Sequence, residues 1–246
     1  IVGSGGAGLS AAVTAAEAGK YNIVVLEKMP VIGGNTLRCA SAFNAADPER
    51  QKLLPMTDTL KDAVVKAINE KPANADHAKL MADVKAKYEA YLKSGSKTLF
   101  DCPEWHALQT YNGGDKVGHI PLIRTYAENV LETLHWMQKH GTPVMDRVSQ
   151  GAGALWQRTH QVDAPAGTGL IEPLLKAANK EGVKIITGMR AQELIYRNGE
   201  VVGVKASDKV GNSYEFKSKY GVILATGGRL QPEQGNAPKI FARLDA

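Results

Sequence analysis

The sequence predicts an α/β fold with a parallel central sheet, a β-meander and a large helical insertion. Three observations carry that prediction. A glycine-spaced turn, Gly3-Ser4-Gly5-Gly6-Ala7-Gly8, joins a short apolar run to an alanine-rich segment. A lysine-rich stretch with helical spacing fills the middle of the chain. From Val183 onward, short apolar runs alternate with turn signals. With 246 residues, 43% of them hydrophobic and 22% charged, the chain is long and apolar enough to bury a real core.

In chain order, only Ile1 and Val2 precede Gly3, so the chain is expected to open inside a strand, as a fragment. Leu9 to Ala18 reads as a helix ending at Gly19 as a C-cap. Tyr21 to Leu26 is an apolar, β-branched run suited to a strand buried on both faces. A second glycine turn follows at Gly33-Gly34-Asn35-Thr36. Residues 47–140 change character. Thr59–Ile68, His77–Tyr91 and Leu122–Lys139 have helical spacing, with Lys71-Pro72 separating the first two and Gly141 stopping the third. Residues 151–169 read as a glycine-rich loop before a helix at Leu170–Lys180. Strands are then expected at Lys184–Thr187, Ala191–Arg197, Val201–Ala206, Tyr214–Ser218 and Gly221–Ala225. The Asn198-Gly199 pair is a strong hairpin signal. The expected division is residues 1–46 with 151–228 as one domain and 47–150 as a mostly helical insertion packed on it. Residues 229–246 would begin a downstream substrate or capping domain.

The formal charge is +5, but lysines and acids are interspersed and no arginine-rich run occurs, which reads as a solvated surface and not a nucleic-acid face. No stretch reaches the roughly 18 apolar residues of a membrane span. Cys39 and Cys102 lack metal-like spacing and read as small buried thiols. His77, His106, His119, His135 and His140 show no metal-ligand spacing either, so no metal site is expected.

Gly3-x-Gly5-x-x-Gly8 matches the dinucleotide fingerprint, the mark of a Rossmann-like unit. The first glycine permits the tight turn, the second lets backbone approach the pyrophosphate, and the third lets helix and strand pack closely. The helix N-terminus then presents free N–H groups to the phosphates. Glu27 lies 19 residues after Gly8, at the end of the second strand, where an acid accepts ribose hydroxyls and disfavours a 2′-phosphate. A plain NAD domain would continue with a helix and a third parallel strand. Here the second glycine turn follows instead, then the meander and Val222-Ile223-Leu224-Ala225-Thr226-Gly227-Gly228, which suits an extended ligand such as FAD.

GSGGAG (3–8), EKMPVIGGNT (27–36), FNAA (43–46), GGDKVG (113–118), AGTG (166–169) and VILATGG (222–228) together resemble the fumarate reductase/succinate dehydrogenase flavoprotein family, in its soluble flavocytochrome c-type branch. The resemblance implies a Rossmann-like FAD-binding domain and hydride transfer from flavin N5 to a carbon–carbon double bond conjugated to a carboxylate. It places Gly3, Ser4, Gly5, Gly6, Ala7 and Gly8 on the pyrophosphate, Glu27 and Lys28 on the adenosine side, and Ala191 near the adenine. Gly33, Gly34, Asn35, Thr36 and Leu37 would follow the ribityl and flavin, with Ala225, Thr226 and Gly227 bordering the dinucleotide. Membrane-bound relatives tether FAD through a histidine that aligns with Asn35, so FAD here is expected to be non-covalent. The family's Ser-Gly-Gly beside the flavin becomes Ala40-Ser41-Ala42, putting Ser41 and Ala42 against the cofactor if their dihedrals are ordinary.

The resemblance puts the proton-donating arginine and the carboxylate clamp downstream of residue 246, so the chain alone is expected to be inactive. Within it, His160, with Arg158, is the remaining polar candidate, read as lying in a loop, and a histidine hydrogen-bonded to backbone is the favoured reading over a catalytic one. Arg38 could face flavin or phosphate, or equally lie on the surface. The implied partners are a small carboxylate substrate and an electron-donor domain or protein. The rival readings are a relative running as a dehydrogenase, a non-catalytic flavin module or fragment completed by a partner, and an NAD-binding domain.

Overall fold

A computed structural model describes residues 1–19 and 21–228; the expectation for residues 229–246 lies outside them. Helix α1 (Gly6–Ala18) precedes strand β1 (Val24–Leu26), and a 3-10 turn at Gly34–Arg38 leads to β2 (Ala42–Asn44). Helices α2 (Pro48–Gln51), α3 (Asp58–Ile68), α4 (Ala75–Lys93), α5 (Pro103–Gly113) and α6 (Ile120–Lys139) follow. The chain continues through β3 (Val144–Ser149), β4 (Thr159–Val162), α7 (Thr168–Lys180) and β5 (Lys184–Ile186). Strands β6 (Arg190–Arg197), β7 (Glu200–Ser207) and β8 (Ser213–Lys217) form the meander. Two units result: residues 1–41 with the described residues from 164 on, and Ala42–Asp163. The divisions fall at 41/42 and 163/164, not at 46 and 151, because β2, β3 and β4 pair with one another in the second unit.

The first unit holds the parallel sheet. β1 pairs with β5 in register Val25↔Ile185, and Val2 bridges both Leu26 and Leu224 in parallel. Alanine-rich α1 buries Leu9, Ala12 and Val13, apolar positions one turn apart, and lies against α7. The β6–β7 hairpin turns at Asn198 (φ 52°) and Gly199 (φ 84°), the two positive dihedrals a type I′ turn requires. Leu194, Val204 and Ala206 of the meander pack on Val2 and Leu26 of the parallel sheet, so the sheet and meander share one core. Full burial of a leucine or valine side chain of this kind contributes about 1.5–3 kcal/mol.

The second unit is helical around its own core, in which Leu80, Val84, Leu108, Trp105 and Trp156 are buried. The two indoles meet edge-to-face at 5.2 Å, and Trp156 Nε1 donates to Phe100 O at 3.0 Å. Side chains cap the helices: Thr57 accepts from Leu60 N, and Asn74 from His77 N at 2.8 Å. Here the structure corrects three expectations. Residues 151–169 are not all loop, since β4 lies among them; β3 forms after α6; and α5 had gone unrecognised. Strands β2, β4 and β3 make an antiparallel sheet in that order. Cys39 and Cys102 are free and only half-buried. No helix among the described residues is long and apolar enough to cross a membrane.

Candidate dinucleotide site

Parallel pairing brings the carboxyl ends of three strand segments to one edge of the first unit. The glycine turn follows Val2, Glu27 follows Leu26, and Ala225-Thr226-Gly227 follows Leu224. Ligands of open α/β sheets bind at this edge. Gly3 has φ 101°, and a Cβ there would lie 2.3 Å from Ala225 O. A Cβ on Gly8 would lie 1.9 Å from Gly3 O, so helix and turn touch through backbone alone.

Gly5 is different. Its backbone is ordinary (φ −70°, ψ −177°), and a Cβ would come no closer than 3.8 Å to Gly33 O and Thr36 Oγ1. Nothing among the described residues demands glycine there, whereas a pyrophosphate lying against the backbone would. Helix α1 begins beside it with no side-chain cap and no acid in its first turn, which favours an anion.

The second glycine turn meets the first. Gly5 and Gly33 form a parallel bridge, Gly33 N–H donates to Ser4 O at 3.0 Å, and Gly6 N–H donates to Thr36 Oγ1 at 3.1 Å. Gly33 (φ 109°) and Gly34 (φ 51°) take left-handed dihedrals, which lets the chain reverse into the 3-10 turn. Asn35 is exposed, as are Lys28 and Arg38. Behind this turn stands a glycine of the AGTG motif to which the sequence assigns no role: a Cβ on Gly167 would sit 1.7 Å from Thr36 O, and Gly167 N–H donates to Leu37 O at 3.1 Å. The close approach clamps the start of α7 onto residues 36 and 37.

Glu27 is buried, 6% exposed, and most of its carboxylate serves the loop. Ser4 donates to Oε2 through its N–H (3.0 Å) and its hydroxyl (2.6 Å), and Met29 N–H donates to Oε1 at 2.8 Å. Three of roughly four acceptor positions are thus occupied, leaving one for a ribose hydroxyl. Burial alone would raise this carboxyl, but the hydrogen bonds from Ser4 and Met29 outweigh it and hold it below the ordinary glutamate value. A depressed carboxyl contributes stability that is present above its unfolded value, about 4.3, and lost as pH falls through the folded one. Glu27→Gln is expected to cost about 1–2 kcal/mol at neutral pH and to flatten the acid-side loss, measured by denaturant unfolding from about pH 7 down to about pH 3.

Ser41, buried in the first unit, has φ 55°. The condition of ordinary dihedrals therefore fails at this position, where a serine holds a glycine-like conformation. Ser41→Gly is expected to raise stability by about 1 kcal/mol, read as a higher unfolding midpoint. Ala42 opens β2 in the second unit. Ala191 lies on β6 opposite Ala206, half-buried against the core beneath the sheet edge.

Arg158 and His160 belong to the second unit and are buried on and beside β4. Arg158 grips Asp101 bidentately, Nε to Oδ2 at 2.9 Å and an Nη to Oδ1 at 2.7 Å. Gln51 Nε2 joins at 2.5 Å. His160 lies between Asp47 Oδ2, 3.0 Å from Nε2, and the carbonyls of Phe43 and Arg158, 3.3 and 3.1 Å from Nδ1. Nε and one Nη of Arg158, and both ring nitrogens of His160, thus have partners inside the protein.

Residues 1–242 match the family described as FAD dependent oxidoreductase. The chain belongs to that family. An NADH:acrylate oxidoreductase of Vibrio harveyi is 36% identical over 243 residues, covering 93% of this chain and 24% of that protein. A fumarate reductase (cytochrome) of Shewanella frigidimarina is 27% identical, covering 93% of this chain and 32% of that one. Among solved structures, the open conformation of a flavocytochrome c3 fumarate reductase superposes with a TM-score of 0.64 at 24% identity, over 90% of this chain and 32% of its own. The chain therefore spans about a quarter to a third of the length of these relatives. As a member of that family the chain takes FAD as its cofactor, and the open space at Gly5, the uncapped α1 and the spare acceptor on Glu27 fit such a dinucleotide.

Proposed function

We propose that this chain is the FAD-holding part of an enzyme that reduces a carbon–carbon double bond conjugated to a carboxylate. The observation that carries the reading is the convergence of the two glycine turns and the Ala225 strand end around a Gly5 left open by the protein itself. The likeness to acrylate and fumarate reductases supports the direction and the substrate class. FAD, when bound, supplies the two-electron chemistry through flavin N5.

The N–H groups of Gly5 to Gly8 hold the pyrophosphate, and Glu27, beside Lys28, accepts from the ribose. Gly33 to Leu37 follow the ribityl and flavin, Ala191 borders the adenine, and Ala225 to Gly227 flank the dinucleotide. Asn35 offers no imidazole for a covalent tether, so FAD is held by contacts alone. Arg158 and His160 take no part in the flavin chemistry, and electrons arrive from another domain or protein.

The test is anaerobic reduction of the full-length protein followed by mixing with acrylate or fumarate. Flavin reoxidation by either supports the reading. An inert reduced flavin, or an oxidised flavin bleached by propionate or succinate instead, contradicts it and favours the binding-module or dehydrogenase reading respectively.

A further inference from the structure

Within the second unit lies a cavity of about 350 Å³ whose walls include Asn44, His106, Gln109, Trp156 and Arg158, with Gly113 and Gly114 opening its rim. None of its lining residues is acidic. His106 is 5% exposed, and its Nδ1 is sealed without a hydrogen-bond partner among the described residues, as is Gln109 Oε1. Burial, followed by the Arg158 charge, pushes His106 down to about 3, so the ring is neutral and carries a single N–H. An orphaned buried N–H is rarer than an orphaned acceptor, which puts that proton on Nε2.

The neighbouring groups are donors too. Asn44 Oδ1 is occupied by the Thr159 hydroxyl at 2.7 Å, leaving the Nδ2 amide. Arg158 gives Nε and one Nη to Asp101, leaving its other Nη. Tyr126 ties the walls together, its hydroxyl on Asn44 O at 3.2 Å and its ring edge-on to His106 at 5.5 Å. The charge that reaches both His106 and Tyr126 is the positive one of Arg158.

From three N–H donors around an acid-free cavity, we infer that this pocket binds a small carboxylate, with His106 Nε2, Asn44 Nδ2 and the free Arg158 Nη as its donors. A carboxylate offers about four acceptor positions in one plane, enough for these three N–H donors, which a neutral amide satisfies by half. The pocket belongs wholly to the second unit, so this site stands independently of the flavin reading.

The experiment is a titration of the purified full-length protein, its histidines labelled with 13C, by sodium acetate at constant ionic strength, with acetamide as the neutral comparator. The resonance missing from His106→Phe identifies the reporter. It is expected to shift saturably with acetate and to ignore acetamide. Gly113→Leu, whose Cβ would lie in ordinary contact 3.6 Å from Leu155 Cδ1, is expected to cover the rim and weaken acetate binding at least tenfold with an unchanged unfolding midpoint. The inference is overturned by a His106 resonance that does not saturate with acetate, by an equal response to acetamide, or by full-strength binding in a folded Gly113→Leu. None of these readouts involves flavin, so the FAD assignment is unaffected by their outcome.

Discussion

Gly8→Ala is expected to yield a protein that retains no flavin and unfolds more easily than the parent. The added methyl carbon would lie 1.9 Å from Gly3 O, a backbone atom that cannot swing aside as a side chain would. The turn must open, which pulls Gly3 from Ala225 and tilts the N–H groups of α1 off the phosphates. We expect a loss of at least a hundredfold in FAD affinity, about 3 kcal/mol, and a further 1–3 kcal/mol or so of folding stability. Flavin content per protein and a thermal melt measure the two losses separately. Gly5→Ala is the matched control. Its methyl meets nothing among the described residues closer than 3.8 Å, so the fold is expected to persist while the flavin is lost. Equal behaviour of the two variants would contradict the assigned roles.

Asp101→Ala is expected to be the most destabilising substitution in the second unit. It leaves the Arg158 guanidinium, 4% exposed, as a buried charge without its bidentate partner, and also strips an acceptor from Gln51. Breaking one side of a buried pair costs about 3–5 kcal/mol, whereas replacing both sides by apolar groups of similar size is often near neutral. The double variant Asp101→Leu with Arg158→Met should therefore recover most of the stability lost by the single one. Denaturant unfolding of the three proteins checks this. A double variant less stable than Asp101→Ala would show that the pair contributes more than mutual neutralisation.

The parts of this molecule readable from sequence are those specified locally. The spacing of Gly3, Gly5 and Gly8 ahead of an alanine-rich helix encodes strand, turn and helix within a single segment, and Asn198-Gly199 encodes its hairpin through two dihedrals. Helices α3, α4 and α6 carry apolar periodicity and their own stop signals. What escaped notice depends on distant partners. Strand β4 includes His160, polar in isolation, and follows Arg158; both are buried only because Asp47 and Asp101 arrive from far along the chain. Helix α5 buries Trp105, His106, Ala107 and Leu108 in succession, a pattern without a polar face to reveal its period. At the site, the glycines and Glu27 were legible as a set, but the use of Glu27 was not. A hydroxyl at the second position of the turn, Ser4, beside a strand-end acid was the available signal that the carboxylate would fasten the loop. The role of Gly167 within AGTG was not legible, because its need for hydrogen in place of a side chain comes from Thr36 O, 131 positions earlier in the chain.

One chemical measurement bears most directly on the cofactor. Purified protein is precipitated with acid, and the supernatant is separated by chromatography against FAD, FMN and NAD standards. The account predicts FAD in the supernatant, close to one per chain, and a colourless pellet. A pellet that keeps its yellow colour would contradict contact-only binding beside Asn35, and NAD or no nucleotide at all, after reconstitution with FAD has been attempted, would contradict the site itself.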